Sequence, residues 1–539
     1  MSRDKKRRSW RRWALWSGLA LVILIVIAAV VVSRRITQRI EPYIQEQTAA
    51  FLRQHFDSDL AWSQFRVSMS LRYPLLVLLR EGRGARVGVE VNGIVLRQRG
   101  RRTEDPPLIT MQKLAFNVDL SEVLTRPAHI RLVQIEGLEL SIPPKGSRPK
   151  ISRPKAEDPP DAGEGKQDGP AVIVDQILIT RTDLRLLPRD ARKPPLEFNL
   201  HRVRLDEAGP GLPMRYDATL TNAKPPGLIN STGSFGPWVA EEPSDTPLAG
   251  EYDFRDADLG VFKGISGILS STGKFEGQLN RIVVDGETDT PDFRLASSGN
   301  PLPLHTEFHA VVDGTNGDTV LEPVEAVLNT TRFTARGSVT RDPKDPARSM
   351  SFDVVMDDGR VEDMLFLAVK GSEPMLEGDM DLKMKLDLLP RKGELADRLR
   401  LDGNFELLAA RFTSLNVQEK IDTLSRRGQG KPKQFEIANV PSDFVGQFHL
   451  EDGIFALQGL EFEAPGALVQ LDGNYLFATE AIDFRGKLRL QARLSKTMSG
   501  WKRILLTPID PFFAKEGYGT VLNIKVIGTR NDPQFGLDR

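Results

Sequence analysis

From Phe65 to the C-terminus, apolar and polar residues alternate in short runs with a period of two. In GDMDLKMKLDLL (378–389), Met380, Leu382, Met384, Leu386 and Leu388 fall on one side of an extended chain; Asp381, Lys383, Lys385 and Asp387 fall on the other. Successive strand side chains point to opposite faces, so one face of this strand is dry and the other wet. The same split sets Leu488, Leu490, Ala492 and Leu494 against Lys487, Arg489, Gln491 and Arg493. Runs such as FRVSMSLRY, ARVGVEVNGIVL, LITMQKLAFNVDL and HIRLVQIEGLELSI are rich in β-branched residues and are separated by Gly, Pro and charged turns. That pattern predicts antiparallel sheet. Glycine opens many runs: GSF (233–235), GKFEGQL (273–279), GSV (337–339), GNFEL (403–407), GQFHL (446–450) and LDGNYLFATEAIDFRGKLRL (471–490). These glycines read as strand openings, where the backbone bends or takes a positive φ.

Helical periodicity is rare. DLSEVLTR (119–126), DADLGVFKGISGILSS (256–271), RVEDMLFLAVK (360–370), NVQEKIDTLSRR (416–427) and LSKTMSGWKRILL (494–506) are the predicted interruptions.

The N-terminus has a different pattern. Seven Lys/Arg precede an uncharged apolar run of 20 residues, Trp13 to Val32. As a helix that run is about 30 Å long, the thickness of a bilayer's hydrocarbon core. It is longer than the apolar core of a signal peptide, and no A-x-A site closes it. The basic cluster predicts a cytoplasmic N-terminus, with everything after Ser33 across a bacterial inner membrane, in the periplasm. Beyond the span, Ile36, Ile40, Tyr43, Ile44, Ala50 and Phe51 form one stripe of a helix, interrupted by Gln47, with Pro42 in its first turns. Packing on the β body and resting on the membrane surface both fit that stripe.

These patterns divide the chain into a cytoplasmic tail (1–12), a span (13–32), an amphipathic helix (33–57) and a β region (58–142). A Pro-rich, charged segment (143–170), a central β region (171–395) and a C-terminal β region (396–539) follow. The 143–170 segment has too few apolar residues to offset its ordering entropy and reads as a disordered linker or loop.

Composition narrows the chemistry. Lys+Arg and Asp+Glu both number 73, so there is no basic excess for a nucleic-acid partner. The absence of cysteine removes disulfides, thiolate nucleophiles and Cys-ligated metals together. His305 and His309 are four apart, but LPLHTEFHAVV reads as a strand, which separates them by about 13 Å. GILSSTGKF (267–275) has the wrong glycine spacing for a phosphate loop, with Phe275 where Ser or Thr is needed. DGTNGD (313–318) lacks the carboxylates of a calcium loop and reads as a hairpin turn. No catalytic residues, metal site or cofactor emerges, and the chain is read as a non-enzyme.

The dry face needs a cover. A sheet that closes on itself as a sandwich or barrel supplies one, and a long trough filled by acyl chains supplies another. Periodicity alone does not separate the two.

A resemblance bears on that choice. The basic tail, span and amphipathic helix, followed by PPLITMQKLAFNVDLSEVLTRPAHIRLVQIEGLELSIPP (106–144), resemble the AsmA-like proteins of the bacterial envelope. VQEKIDTLSRRGQG (417–430), VQLDGNYLFATEAIDFRGKLRLQARLS (469–495) and TVLNIKVIGTRNDPQFGLD (520–538) resemble that family's C-terminal region; residues 171–395 match mainly in style. The resemblance implies a mostly β fold: an inner-membrane anchor carrying an elongated, twisted antiparallel β-groove related to chorein-type lipid-transfer proteins. It implies phospholipid movement between inner and outer membranes, support of envelope integrity, and an outer-membrane or envelope protein as a further partner. Met380, Leu382, Met384, Leu386, Leu388, Leu488, Leu490 and Leu494 are then the candidate lipid-binding floor. In WKRILLTPIDPFF (501–513), Trp501, Leu505, Phe512 and Phe513 are candidates for a membrane or partner contact, with a plug on the groove's end as the other reading. The competing function is a non-transporting scaffold for envelope assembly.

Overall fold

The computed structural model describes residues 58–71, 85–98, 106–119, 128–142, 172–187, 196–492 and 519–538, with short breaks at 210, 223, 238, 240–242, 263, 297, 315–316, 342–347, 372, 391–394, 437 and 530–531. The expected span, the helix at 33–57, residues 120–126, the 143–170 segment and the 494–506 helix lie outside the described residues. Among those described, no helix is long and apolar enough to cross a membrane. The fold is mostly β, as the period-two pattern predicts. The chain divides into two compact units: residues 1–223 with 228–250, and residues 224–227 with 251–539.

The first unit contains β1 (Ser58–Ala61), β2 (Gln64–Leu71), β3 (Ala85–Gln98), β4 (Ile109–Asp119), β5 (Ala128–Ile130), β6 (Leu132–Ile142), β7 (Val172–Leu186), β8 (Leu196–Ala208), β9 (Met214–Thr221) and β10 (Leu228–Phe235). The 14 residues of β3 give one edge to both β1 and β2. Gly93, at φ +63° within β3, lets the buried positions change phase, from Val89 and Val91 to Ile94 and Leu96. Val89, Val91 and Ile94 form a core with Trp62, Phe65, Met111, Leu114 and Phe116. The sheet is not wholly antiparallel, contrary to the sequence expectation: β5 and β6 both run parallel to β7. Parallel neighbours need a long crossover. Residues 143–171 make that connection, so the strands on either side of the Pro-rich segment belong to one sheet.

The second unit takes the remainder of β11 (Pro247–Asp258), then β12 (Ile265–Ser266), β13 (Ile268–Gln278), β14 (Arg281–Leu295), β15 (Leu302–Val312), β16 (Thr319–Leu328), β17 (Thr331–Arg341) and β18 (Arg348–Arg360). Helix α1 (Val361–Ala368) precedes β19 (Leu376–Leu388); α2 (Leu395–Arg398) leads into β20 (Leu399–Phe412). After α3 (Leu415–Gly428) come β21 (Ser442–Glu451), β22 (Ile454–Ala464), β23 (Ala467–Leu476), β24 (Ala481–Leu490), β25 (Thr520–Thr529) and β26 (Asp532–Leu537). From β13 to β26 every strand pairs antiparallel with the next one in sequence. Among the described pairings none joins the outer edge of β26 to another strand, so this ladder is open.

Two predicted helices, at 360–370 and 416–427, are present as α1 and α3. The one expected at 256–271 is not. Asp258 accepts a hydrogen bond from Gly260 N–H and makes a single 3-10 turn. Gly264 (φ +97°) and Gly267 (φ +139°) then turn the chain into β13. Glycines at 260, 264 and 267 deny a helix there the side chains that would stabilise it. The phosphate-loop look-alike 267–275 accordingly lies mostly in β13. DGTNGD connects antiparallel β15 and β16, with Asp313 N–H donating to Asp318 O at 2.8 Å.

Candidate functional site

Directly paired residues of an antiparallel ladder project to the same face, so the registers of β13–β26 convert strand patterns into rows that cross the sheet. The row through Met384 runs one way by Val354, Ala335, Val324, Phe308 and Gly286 to Gly273. It runs the other way by Gly403, Phe448, Leu457, Gly473, Phe484 and Val526 to Phe535. Across fourteen strands every member of it is apolar or glycine, and at the β13 end the Tyr252 ring and hydroxyl lie over Gly273 and Gly286. The row through Leu386 is as unbroken, from Phe275 by way of Phe352, Leu401, Leu450 and Phe455 to Pro533; its most polar member is Tyr475. Thirteen inter-strand steps of about 4.8 Å make each row about 60 Å long, measured along the sheet.

The opposite face has other chemistry. The row through Lys383 passes Val355, Thr334, Glu325, Glu307, Glu287 and Thr272 on one side and Asn404, Gln447 and Gln458 on the other. Cross-strand hydrogen bonds link strands on this face: His305 Nδ1 and His309 Nδ1 each lie 2.7 Å from a carboxylate oxygen, of Asp289 and Asp285 respectively. The hydrogen bond to Asp289 holds the His305 pKa above the ordinary imidazole value. The two histidines share a face of β15 but take separate partners, and among the described residues no cluster of three or more His, Cys, Asp or Glu is arranged to hold a metal.

The repeated glycines have a cause that the sequence did not disclose. Gly403, Gly446 and Gly473 are not strand openings with positive φ; they lie inside β20, β21 and β23 on the dry face. Gly403 pairs with Phe448 and Gly446 with Phe405, so adjacent strands exchange a glycine for a ring. A Cβ on Gly403 would stand 2.7 Å from Phe448 Cζ, and one on Gly446 would stand 3.1 Å from the Phe405 ring. Gly286 under Phe308, Gly337 under Phe352 and Gly473 under Phe484 repeat the arrangement. Each ring covers the bare backbone of its partner strand, the device by which aromatic residues shield strand glycines.

Two helices cover one margin of the dry face. The row Met380, Leu407, Phe444, Phe462, Val469 and Leu488 lies four residues further along the strands. At one end of it Leu365 of α1 packs with Val361, Leu407, Ala410 and Met380; at the other Ile421 and Leu424 of α3 pack with Phe462, Val469 and Leu488. Each helix is tied down by a buried polar group. Asp363, 4% exposed, accepts hydrogen bonds from Asn329 Nδ2 (2.7 Å), Thr331 Oγ1 (2.8 Å), Thr330 Oγ1 (2.8 Å) and Thr330 N–H (3.2 Å). Burial pushes the Asp363 pKa up, but these hydrogen bonds outweigh it and hold the carboxyl below its usual range. Asn300 Nδ2 donates to Phe366 O, Val369 O and Gly371 O at the far end of α1. In α3, Asp422 accepts from Asn439 N–H and Val440 N–H at 3.0 Å each, and Gln418 bridges Asp422 to Val440 O.

The candidate residues therefore separate. Met384, Leu386 and Leu388 are half-buried and belong to neither helix-covered cluster, although Val354 and Ala335 in the Met384 row and Ala310 and Leu450 in the Leu386 row are buried. Leu382 (6% exposed) and Leu490 (4%) are core positions, and Met380 and Leu488 pack in the clusters beneath α1 and α3. These four are occupied by protein contacts rather than standing open as floor. Leu494, Trp501, Leu505, Phe512 and Phe513 lie outside the described residues. Cross-strand neighbours such as Phe352, Phe448 and Phe455 were not singled out from the sequence, although each sits in an alternating run. Their membership depends on register, which no single strand contains.

No family model matches the chain, and neither a curated protein nor a solved structure matches it.

Proposed function

We propose that the chain is a membrane-anchored lipid-transfer protein in which the Met384 and Leu386 rows form the floor for acyl chains. The observation that carries this reading is the pair of unbroken apolar rows across fourteen strands, backed by a charged opposite face. Each CH₂ kept from water contributes about 0.8 kcal/mol. A chain lying along a row meets the same chemistry at every strand, so it translates without a large barrier while its head group stays in water. Nothing in this needs a catalytic residue or a cofactor.

In this account residues 13–32 anchor the chain in the inner membrane, the body lies in the periplasm, and phospholipid passes between inner and outer membranes. The resemblance to AsmA-like proteins supports the same reading. The purified full chain is expected to retain phospholipid, detected by mass spectrometry of an organic extract. Aspartate at Met384, Leu386 and Phe448 together should remove most of it. Retention equal to that of the unaltered chain, in a triple variant that melts normally, would refute the floor and favour a scaffold role.

A further inference from the structure

The five most exposed large hydrophobic side chains among the described residues are Leu415 (85%), Phe435 (76%), Phe535 (71%), Leu537 (58%) and Met375 (53%). All five gather around α3. Leu415 is its first residue, and Met375 O accepts from Thr413 N–H just before it. The Arg426 guanidinium lies 5.4 Å from the Phe435 ring centroid, and Lys420 Nζ lies 5.8 Å from that of Phe535. Leu537 pairs with Ile524, which shares a core with Ile421 and Leu424 of α3.

The charge around these residues is not random. Along 415–436 the exposed cations are Lys420, Arg427, Lys431 and Lys433, against the exposed carboxylates Glu419 and Glu436 there and Asp532 on β26. The carboxylate of Asp422 is turned inward to Asn439 and Val440. Soluble surfaces scatter single apolar residues, whereas a gathered set interleaved with Lys and Arg is the composition of an interfacial surface. The chain's overall charge of zero argues against nucleic acid as the occupant.

We propose that the outer face of α3, residues 429–436 and edge strand β26 form a docking surface for an anionic phospholipid bilayer. Leu415, Phe435 and Phe535 enter the boundary between head groups and acyl chains, and the four exposed cations meet lipid phosphates. This surface meets the floor at Phe535, the last member of the Met384 row, but its contacts at Leu415 and Phe435 do not depend on whether the floor holds lipid.

The test uses the full chain in the cells that produce it, with p-benzoylphenylalanine at Leu415, at Phe435 or, as a wet-face control, at Lys385. The proposal expects phospholipid adducts at 415 and 435 and none at 385. Neutralising Lys420, Arg427, Lys431 and Lys433 to Gln should lower the adducts at 435 by about tenfold or more, since each basic residue near an anionic surface is worth several-fold in binding. Adducts at Met384, scored in parallel, should not change, which separates this surface from the floor. Adducts only to another protein, adducts to residues 493–518 of the same chain, no adducts, or lipid adducts indifferent to neutralisation would each overturn it. The adduct pattern without the Gln substitutions decides the matter even if the fourfold variant is unstable.

Discussion

Two parts of the same dry face, built by the same strands of the second unit, differ in what covers them. The row from Met380 to Leu488 lies against α1 and α3, and its members Leu407, Phe462 and Val469 are buried. The rows through Met384 and Leu386, two and three alternations further along β19, are equally apolar, and most of their members stay half-exposed. The residue types do not distinguish the two parts. Two short helices do, each held by one buried carboxylate and its hydrogen bonds, Asp363 for α1 and Asp422 for α3. An apolar strand face is thus a permission to bury something, and neighbouring elements decide whether protein takes the place.

The largest effect that would break this comparison is expected at Phe462. Phe462→Ala should lower the unfolding free energy by about 3–5 kcal/mol, the cost of a large cavity in a covered core. Phe455→Ala, in the Leu386 row, should cost about half that or less, because its half-exposed site collapses or fills with solvent. Equal losses in denaturant titrations would mean the two parts are covered alike. Asp363→Ala comes next, at about 2–3 kcal/mol, since it removes the acceptor of the buried Thr331 hydroxyl and of Asn329 and Thr330 beside it. The same carboxylate sets an acid limit. Its folded pKa is depressed, so its contribution is complete above the ordinary aspartate range and is lost as pH falls through the folded value. The Asp363→Ala variant should therefore show a weaker fall of stability in acid than the unaltered chain.

Smaller changes sharpen the contrast. Gly446→Ala brings a methyl to 3.1 Å from the Phe405 ring and should cost about 1–2 kcal/mol, with Phe405→Leu recovering part of it in the double variant. Additive losses would show that the glycine is not there for the ring. Smallest of all, Leu386→Gln should change stability by about 1 kcal/mol or less, because the site already meets solvent.

Sequence periodicity carried much of this architecture. In GDMDLKMKLDLL the two faces are explicit, and β19 displays them, with Lys383 and Lys385 exposed. The α1 and α3 helices were legible from their apolar spacing. The parallel pairing of β6 with β7 was not, because both strands are ordinary β-branched runs and their relative direction is set by the crossover. The glycines misled for a related reason: a glycine opposite a ring on the next strand looks, in one dimension, like a glycine that starts a strand. At Met380 and Leu488 the strand pattern named the face correctly and could not name the cover, since Leu365 and Leu424 reach those residues only in three dimensions. The Asp363 and Asp422 anchors carry no local motif, only a carboxylate in the first turn of α1 and one in the middle of α3.

The most direct test of the account places p-benzoylphenylalanine at Met384 and, separately, at Lys385, then examines the cross-linked chain from cells by mass spectrometry. The account predicts phospholipid adducts from Met384 and none from Lys385, because adjacent residues of β19 look to opposite faces. Well-folded chain with no lipid on either residue, or with lipid on both alike, would contradict a lipid-bearing floor.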